Sequence, residues 1–247
     1  MAGHSKWKQI KRKKAVTDAR RGAAFTKLIK EITIAAKAGG GDPGGNPRLR
    51  TAIDAAKAAN MPNDNIDRAV KKGTGELEGV NYEEVTYEGY GPGGAAIFIE
   101  VTTDNANRTV ADMRNIFSKH GGNLGTSGSV AWMFDRRGQI VLDASKVDED
   151  TALEAALEAG ATDLVREGDQ FIVSTGVGDF HAVQEGLRRK KVTWDAAELA
   201  MIPKNTVKVE RGDAKNLVHL MEQLEEHDDV AKVFSNFDVD EEALAGV

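Results

Sequence analysis

Eleven side chains near the start of the chain have types and spacing that can do chemistry: Lys6, Trp7, Lys8, Lys11, Arg12, Lys13, Lys14, Arg20, Arg21, Lys27 and Lys30. Cations at this density neutralise phosphates, and an aromatic ring among them can stack on an unpaired base. Trp7 sits amid Lys6, Lys8, Lys11 and Arg12, placed equally well to stack or to anchor its segment to the neighbouring domain. Residues 1–37 hold eleven Lys or Arg against Asp18 and Glu31, whereas residues 73–247 hold 16 basic and 33 acidic residues, a net of −17. The overall charge of −6 therefore averages two opposite objects. A basic end on an acidic body is the electrostatic footprint of a polyanion-binding protein. The plainer reading is a solvated charged tail.

Other chemistries fail on context. The two G-x-G-x-x-G matches, Gly39/Gly41/Gly44 and Gly89/Gly91/Gly94, follow a helix and precede a strand. A dinucleotide fingerprint must instead leave a strand and open a helix, so that backbone amides meet a pyrophosphate. Both read as turns. His219 and His227 fit no zinc-binding pair, and Ser127 lacks a nucleophile elbow and a base. Asp148, Glu149 and Asp150, like Glu225, Glu226, Asp228 and Asp229, lack calcium-loop spacing. With no cysteine there are no disulfides or thiolate ligands. No catalytic constellation emerges, so the expectation is a non-enzyme with no cofactor and no metal. No apolar run approaches a membrane span, and the Lys-rich, nearly Ser-free opening suits a cytoplasmic protein.

The elements that must carry the cations are helical. Phe25, Leu28, Ile29, Ile32 and Ala36 recur at helical spacing, which predicts an amphipathic helix ending before Gly39. On it Lys27, Lys30 and Lys37 fall within about 80° and form one cationic stripe. Asn46 and Pro47 open a second helix with Leu49, Ala52, Ile53 and Ala56 inward. A third runs from Asn63 to Lys72, with Gly73 as its stop. Three short helices need one another for a core, which predicts a small helical domain over residues 1–79.

Beyond it, strand and helix signals alternate. Strand 95–102, helix 107–120 and strand 129–134 are echoed by strand 206–210, a helix capped by Asp213 and strand 230–237. Between them, residues 135–203 read as βαββαβ, a ferredoxin-like module. The two outer βαβ halves would complete a second module from residues 80–134 and 204–240. The expected class is thus α+β: a small helical domain, then two ferredoxin-like α/β domains, one inserted into the other. Glu222, Glu225 and Glu226 are close neighbours on the last helix, forming either a solvated face or one that holds a basic surface.

Several stretches carry a wider resemblance. They are residues 1–8 (MAGHSKWK), 25–32 (FTKLIKEI), 39–43 (GGGDP), 46–50 (NPRLR), 60–62 (NMP), 88–94 (EGYGPGG) and 121–125 (GGNLG). Together they resemble the YebC/PmpR family, whose eukaryotic relatives include a mitochondrial translational activator of cytochrome oxidase. The resemblance implies a three-domain cytoplasmic protein acting as a DNA-binding transcriptional regulator. Members have also been tied to translation on the ribosome. The implied partner is DNA, or ribosomal or transfer RNA, with a ribosome or a protein facing the acidic domains.

Overall fold

The computed structural model describes residues 18–239, with side chains from Gly22 onward. Helix α1 (Asp18–Gly39) is joined to α2 (Pro47–Ala58) and α3 (Asn63–Thr74). Ile32, Ala35, Ala36, Leu49, Ala52, Ala56, Ile66 and Ala69 fill the core between them. Asn46 explains why two helices meet in so short a turn. Its Oδ1 accepts the Leu49 N–H at the start of α2, while Nδ2 donates to the Ala35 and Gly40 carbonyls at the end of α1. One amide thus serves groups that helix ends otherwise leave unpaired.

The third helix passes through Gly73 and stops at Gly75, whose φ of 83° supplies the left-handed cap. The expectation that Gly73 ends the helix is therefore corrected. A Cβ on Gly73 would lie 2.4 Å from the Thr33 carbonyl and 2.7 Å from Ala36 Cβ. Gly73 lets α3 press against α1.

Strand β1 (Glu83–Tyr90) follows, then a 3-10 turn (Pro92–Gly94) and β2 (Ala96–Thr103). Helix α4 (Ala106–Lys119) leads to the short β3 (Asn123–Leu124) and a second 3-10 turn (Ala131–Met133). The next module comprises β4 (Phe134–Asp143), α5 (Glu149–Glu158), β5 (Asp163–Glu167), β6 (Gln170–Thr175), α6 (Phe180–Arg189) and β7 (Ala196–Pro203). Last come β8 (Val207–Lys208), α7 (Arg211–Glu226), β9 (Val230–Ser235) and β10 (Phe237–Asp238). The class is α+β, as read from the sequence. Among the described residues, no helix is long and apolar enough to cross a membrane.

The described chain forms two compact units, Phe134–Ile202 and everything outside it. Within the first-named unit the sheet order is β5-β6-β4-β7, the ferredoxin-like arrangement of a βαββαβ chain. Its core is its own: Ile140, Leu142, Ala152, Ala156, Phe171, Val173, Phe180, Val183 and Leu187. In the other unit the order is β3-β1-β2-β9, and β2 pairs antiparallel with β9 across the chain interruption. Helices α4 and α7 cover that sheet through Met113, Phe117, Leu217, Leu220, Met221 and Leu224.

Three local expectations change. Strand β1 was not foreseen, because its acid-rich sequence buries only Glu88 and Gly89 fully. Residues 129–134, expected as a strand, instead form a loop and 3-10 turn leading into β4. Residues 207–208 pair only with β10, in a separate two-stranded ribbon.

Candidate nucleic-acid interface

Of the eleven expected contact residues, Lys6, Trp7, Lys8, Lys11, Arg12, Lys13 and Lys14 lie outside the described residues. Arg20 and Arg21 fall on the first turn of α1, and their side chains are outside the described set. Lys27 and Lys30 are described, and neither projects into solvent.

Lys30 is 7% exposed, and its ammonium meets three oxygens: Asp229 Oδ1 at 2.7 Å, the Asp228 carbonyl at 2.9 Å and the Thr102 carbonyl at 3.3 Å. A lysine has three N–H donors, so all are used. Its ammonium also lies 5.5 Å from the centroid of the Tyr82 ring. The expectation that Lys30 grips phosphate is corrected: burial against a fixed carboxylate removes it from any surface. Lys27 donates to the Glu225 carbonyl at the end of α7. The final carbonyls of a helix lack intrahelical partners and sit at the negative end of its dipole, so a lysine is a natural cap there. Two of the three lysines in the expected cationic stripe thus join α1 to the end of α7 and the turn that follows it.

Asp229 organises that joint. Besides Lys30 it accepts from Arg108 at 2.8 Å, Thr109 Oγ1 at 2.8 Å and Thr103 Oγ1 at 3.2 Å. Burial alone would raise its carboxyl, but the hydrogen bonds from Lys30, Arg108 and Thr109 outweigh this and hold it far below the usual carboxylate range. His227 supports the turn: its Nδ1 accepts the Asp229 N–H at 3.1 Å. Nε2 is then the protonated nitrogen facing Asp112, 3.3 Å away. In sequence Asp229 was one acid in a run of four, and nothing in spacing separated it from solvated neighbours.

A second lock ties the helices to the sheet. Arg48 donates to Glu31 at 2.8 and 3.0 Å and to Glu84 at 2.6 and 3.2 Å. Those hydrogen bonds, chiefly the ones to Glu31, raise its guanidinium pKa against the opposing effect of burial. All three side chains are more than a third exposed, so the cluster adds at most about 1 kcal/mol, less than the apolar core beneath it.

On α1, α2 and α3 the cations that remain exposed, among the residues whose side chains are described, are Lys37, Lys57, Arg68, Lys71 and Lys72. Arg68, Lys71 and Lys72 stand at i, i+3 and i+4 on α3 and therefore share one face. Among the described residues, no group of three or more His, Cys, Asp or Glu could hold a metal ion.

Comparison with known proteins places this arrangement. Residues 5–76 match the TACO1/YebC protein N-terminal domain, and residues 82–237 match the TACO1/YebC second and third domain. The chain is 62% identical to a "Probable transcriptional regulatory protein" of Gemmatimonas aurantiaca, covering 99% of both chains. It is 57% identical to a protein of the same name from Geotalea uraniireducens, over 99% of this chain and 98% of that one. A crystal structure of a conserved hypothetical protein from Aquifex aeolicus superposes with a TM-score of 0.85 at 47% identity, covering 92% of this chain and 94% of that one. With its helical region and its discontinuous sheet both matched by the family's domains, this chain belongs to the TACO1/YebC family.

Proposed function

We propose that this protein regulates gene expression by binding nucleic acid, with its basic N-terminal region on the phosphates. It acts by binding rather than catalysis, in the cytoplasm, and its target is DNA in transcriptional control. The carrying observation is the charge division: eleven cations in residues 1–37 against a net of −17 beyond residue 72. An acidic body repels a long polyanion laid across it, so the phosphates are gripped at the N-terminal side. The names of the relatives support the regulatory part of this reading. With Lys27 and Lys30 used internally, the phosphate contacts fall to Lys6, Lys8, Lys11, Arg12, Lys13, Lys14, Arg20 and Arg21, extended by Arg68, Lys71 and Lys72.

The test is the salt dependence of duplex binding. About six phosphate contacts give a log–log slope near −5. Replacing Lys6, Lys8, Lys11, Arg12, Lys13 and Lys14 with Gln should flatten the slope and weaken binding to all sequences alike. An unchanged slope would remove this segment from the interface. Ribosome co-sedimentation at the same salt decides the target: retention on ribosomes with weak, fully competed DNA binding would replace transcription by translation.

A further inference from the structure

Trp132 is 65% exposed and is the only exposed Phe, Tyr or Trp ring among the described residues. A large ring in water is ordinary when it is loose; this one is held from several sides. Its indole Nε1 donates to the Ser129 carbonyl at 3.1 Å, which fixes the ring to its own loop and leaves its surface in solvent. Tyr90 Oη donates to the same carbonyl at 3.0 Å. Beneath the loop, the buried Glu88 carboxylate accepts the N–H groups of Gly128, Val130 and Ala131 at 2.6, 2.7 and 2.7 Å. Lys204 then closes the far side, its ammonium on the Trp132 carbonyl and its N–H on the Met133 carbonyl, each at 2.9 Å. Burying a carboxylate costs free energy unless hydrogen bonds meet it, and the three N–H donors that do so here also fix the loop.

What the ring is shaped for follows from its surroundings. Along the loop Thr126, Ser127 and Gly128 are exposed and Val130 is buried, so the ring is its one exposed large apolar side chain rather than one of an apolar patch within the loop. A protein-binding hot spot would be expected at the centre of such a patch. A lone, oriented ring beside hydroxyls and a lysine ammonium suits a flat, polar-edged partner carrying negative charge, which is a nucleotide. Stacking needs an unpaired base, since paired bases in a duplex hide their faces.

We infer that Trp132 is a stacking platform for an unpaired nucleobase, a second contact point separate from the basic N-terminal region. This inference rests on the nucleic-acid reading above and adds that the bound nucleic acid exposes single-stranded bases. Because the ring is oriented before binding, little further ordering is needed when a base arrives.

The experiment uses the full chain carrying Trp7→Phe and Trp194→Phe, so that Trp132 is the sole tryptophan. Fluorescence is titrated with U12, dT12 and a 12-base-pair duplex, and affinities are read in parallel from labelled strands. Saturable quenching by the single strands, with little by the duplex, is expected. Trp132→Ala in the otherwise native chain should weaken single-strand binding about five- to a hundredfold and leave duplex binding unchanged, with Trp132→Phe largely restoring it. Preference between U12 and dT12 separates RNA from DNA as the source of the base. No quenching and an unchanged Trp132→Ala affinity, while the N-terminal Gln variant loses binding, would overturn the platform and leave the proposed function standing. Absence of binding by the unmodified chain to any of the three would overturn both. Quenching in the single-tryptophan chain decides the question even if Trp132→Ala folds poorly.

Discussion

At the scale of single residues, the most consequential carboxylate is Asp229, which faces Lys30 with both side chains under 10% exposed. Removing one partner of a buried pair leaves the other charge unmatched, at a cost of about 3–5 kcal/mol. Asp229→Asn should therefore lower the thermal midpoint sharply, and adding Lys30→Met should recover part of the loss. If the double variant is no more stable than the single one, the pair is not what holds α1 to the sheet. Glu88 gives a pH-dependent counterpart. Burial would raise its carboxyl, but the three backbone N–H donors hold it below the usual 4.5. A carboxylate with a depressed folded pKa stabilises fully above its unfolded value, and that contribution is lost as pH falls below about 4.5. Protection of the Val130 and Ala131 amides from exchange should fall over that window. In Glu88→Gln they should already be about 5- to 100-fold less protected at neutral pH, from a loss of about 1–3 kcal/mol. None of these partnerships was legible in the sequence, because each joins residues 40 or more positions apart.

At the scale of elements, periodicity located most helices and strands, since apolar spacing of 3.6 or 2 reflects the face each element buries. It failed where an element buries little or where a residue serves a neighbour. Strand β1 is flanked by β2 on one side and the short β3 on the other, and its charged residues carried no strand signal. Gly73 and Gly75 make the second point. Both lie near the end of α3, but only Gly75 adopts a positive φ, with open space around its Cβ position. Asparagine at position 75 should be tolerated, as it commonly is in left-handed caps. Gly73→Ala should cost about 1–3 kcal/mol, because its methyl would meet a backbone carbonyl that cannot move without parting two helices. Denaturant midpoints with unchanged slopes would measure both. Equal losses at the two positions would mean that close packing is not the role of Gly73.

At the scale of the whole molecule, the two compact units make different demands on the chain. Residues 134–203 hold four strands, two helices and a complete core, so the excised segment should unfold cooperatively on heating. Residues 95–134 alone should not, because β2 lacks β9, and the core around Ile97 and Ile99 lacks Leu217, Leu220, Met221 and Leu224. A cooperative transition from that shorter piece would contradict the dependence on the returning segment. The sequence by itself determined the α+β class, the helical start, the βαββαβ middle block, the family and the sign of each half of the chain. These are legible because they rest on local periodicity, capping chemistry and charge, which need no knowledge of what lies across the fold. Tertiary structure alone decided which cations stay outside. Lys27, Lys30 and Lys37 look alike along one helix, yet two of them face carbonyls and a carboxylate from the far end of the chain, while Lys37 remains exposed. It also decided that Trp132 stands in solvent rather than within a strand, because the donors and acceptors that hold its loop come from β1 and from Lys204. Burial and long-range hydrogen bonding are properties of neighbours in space, and only the folded chain brings those neighbours together.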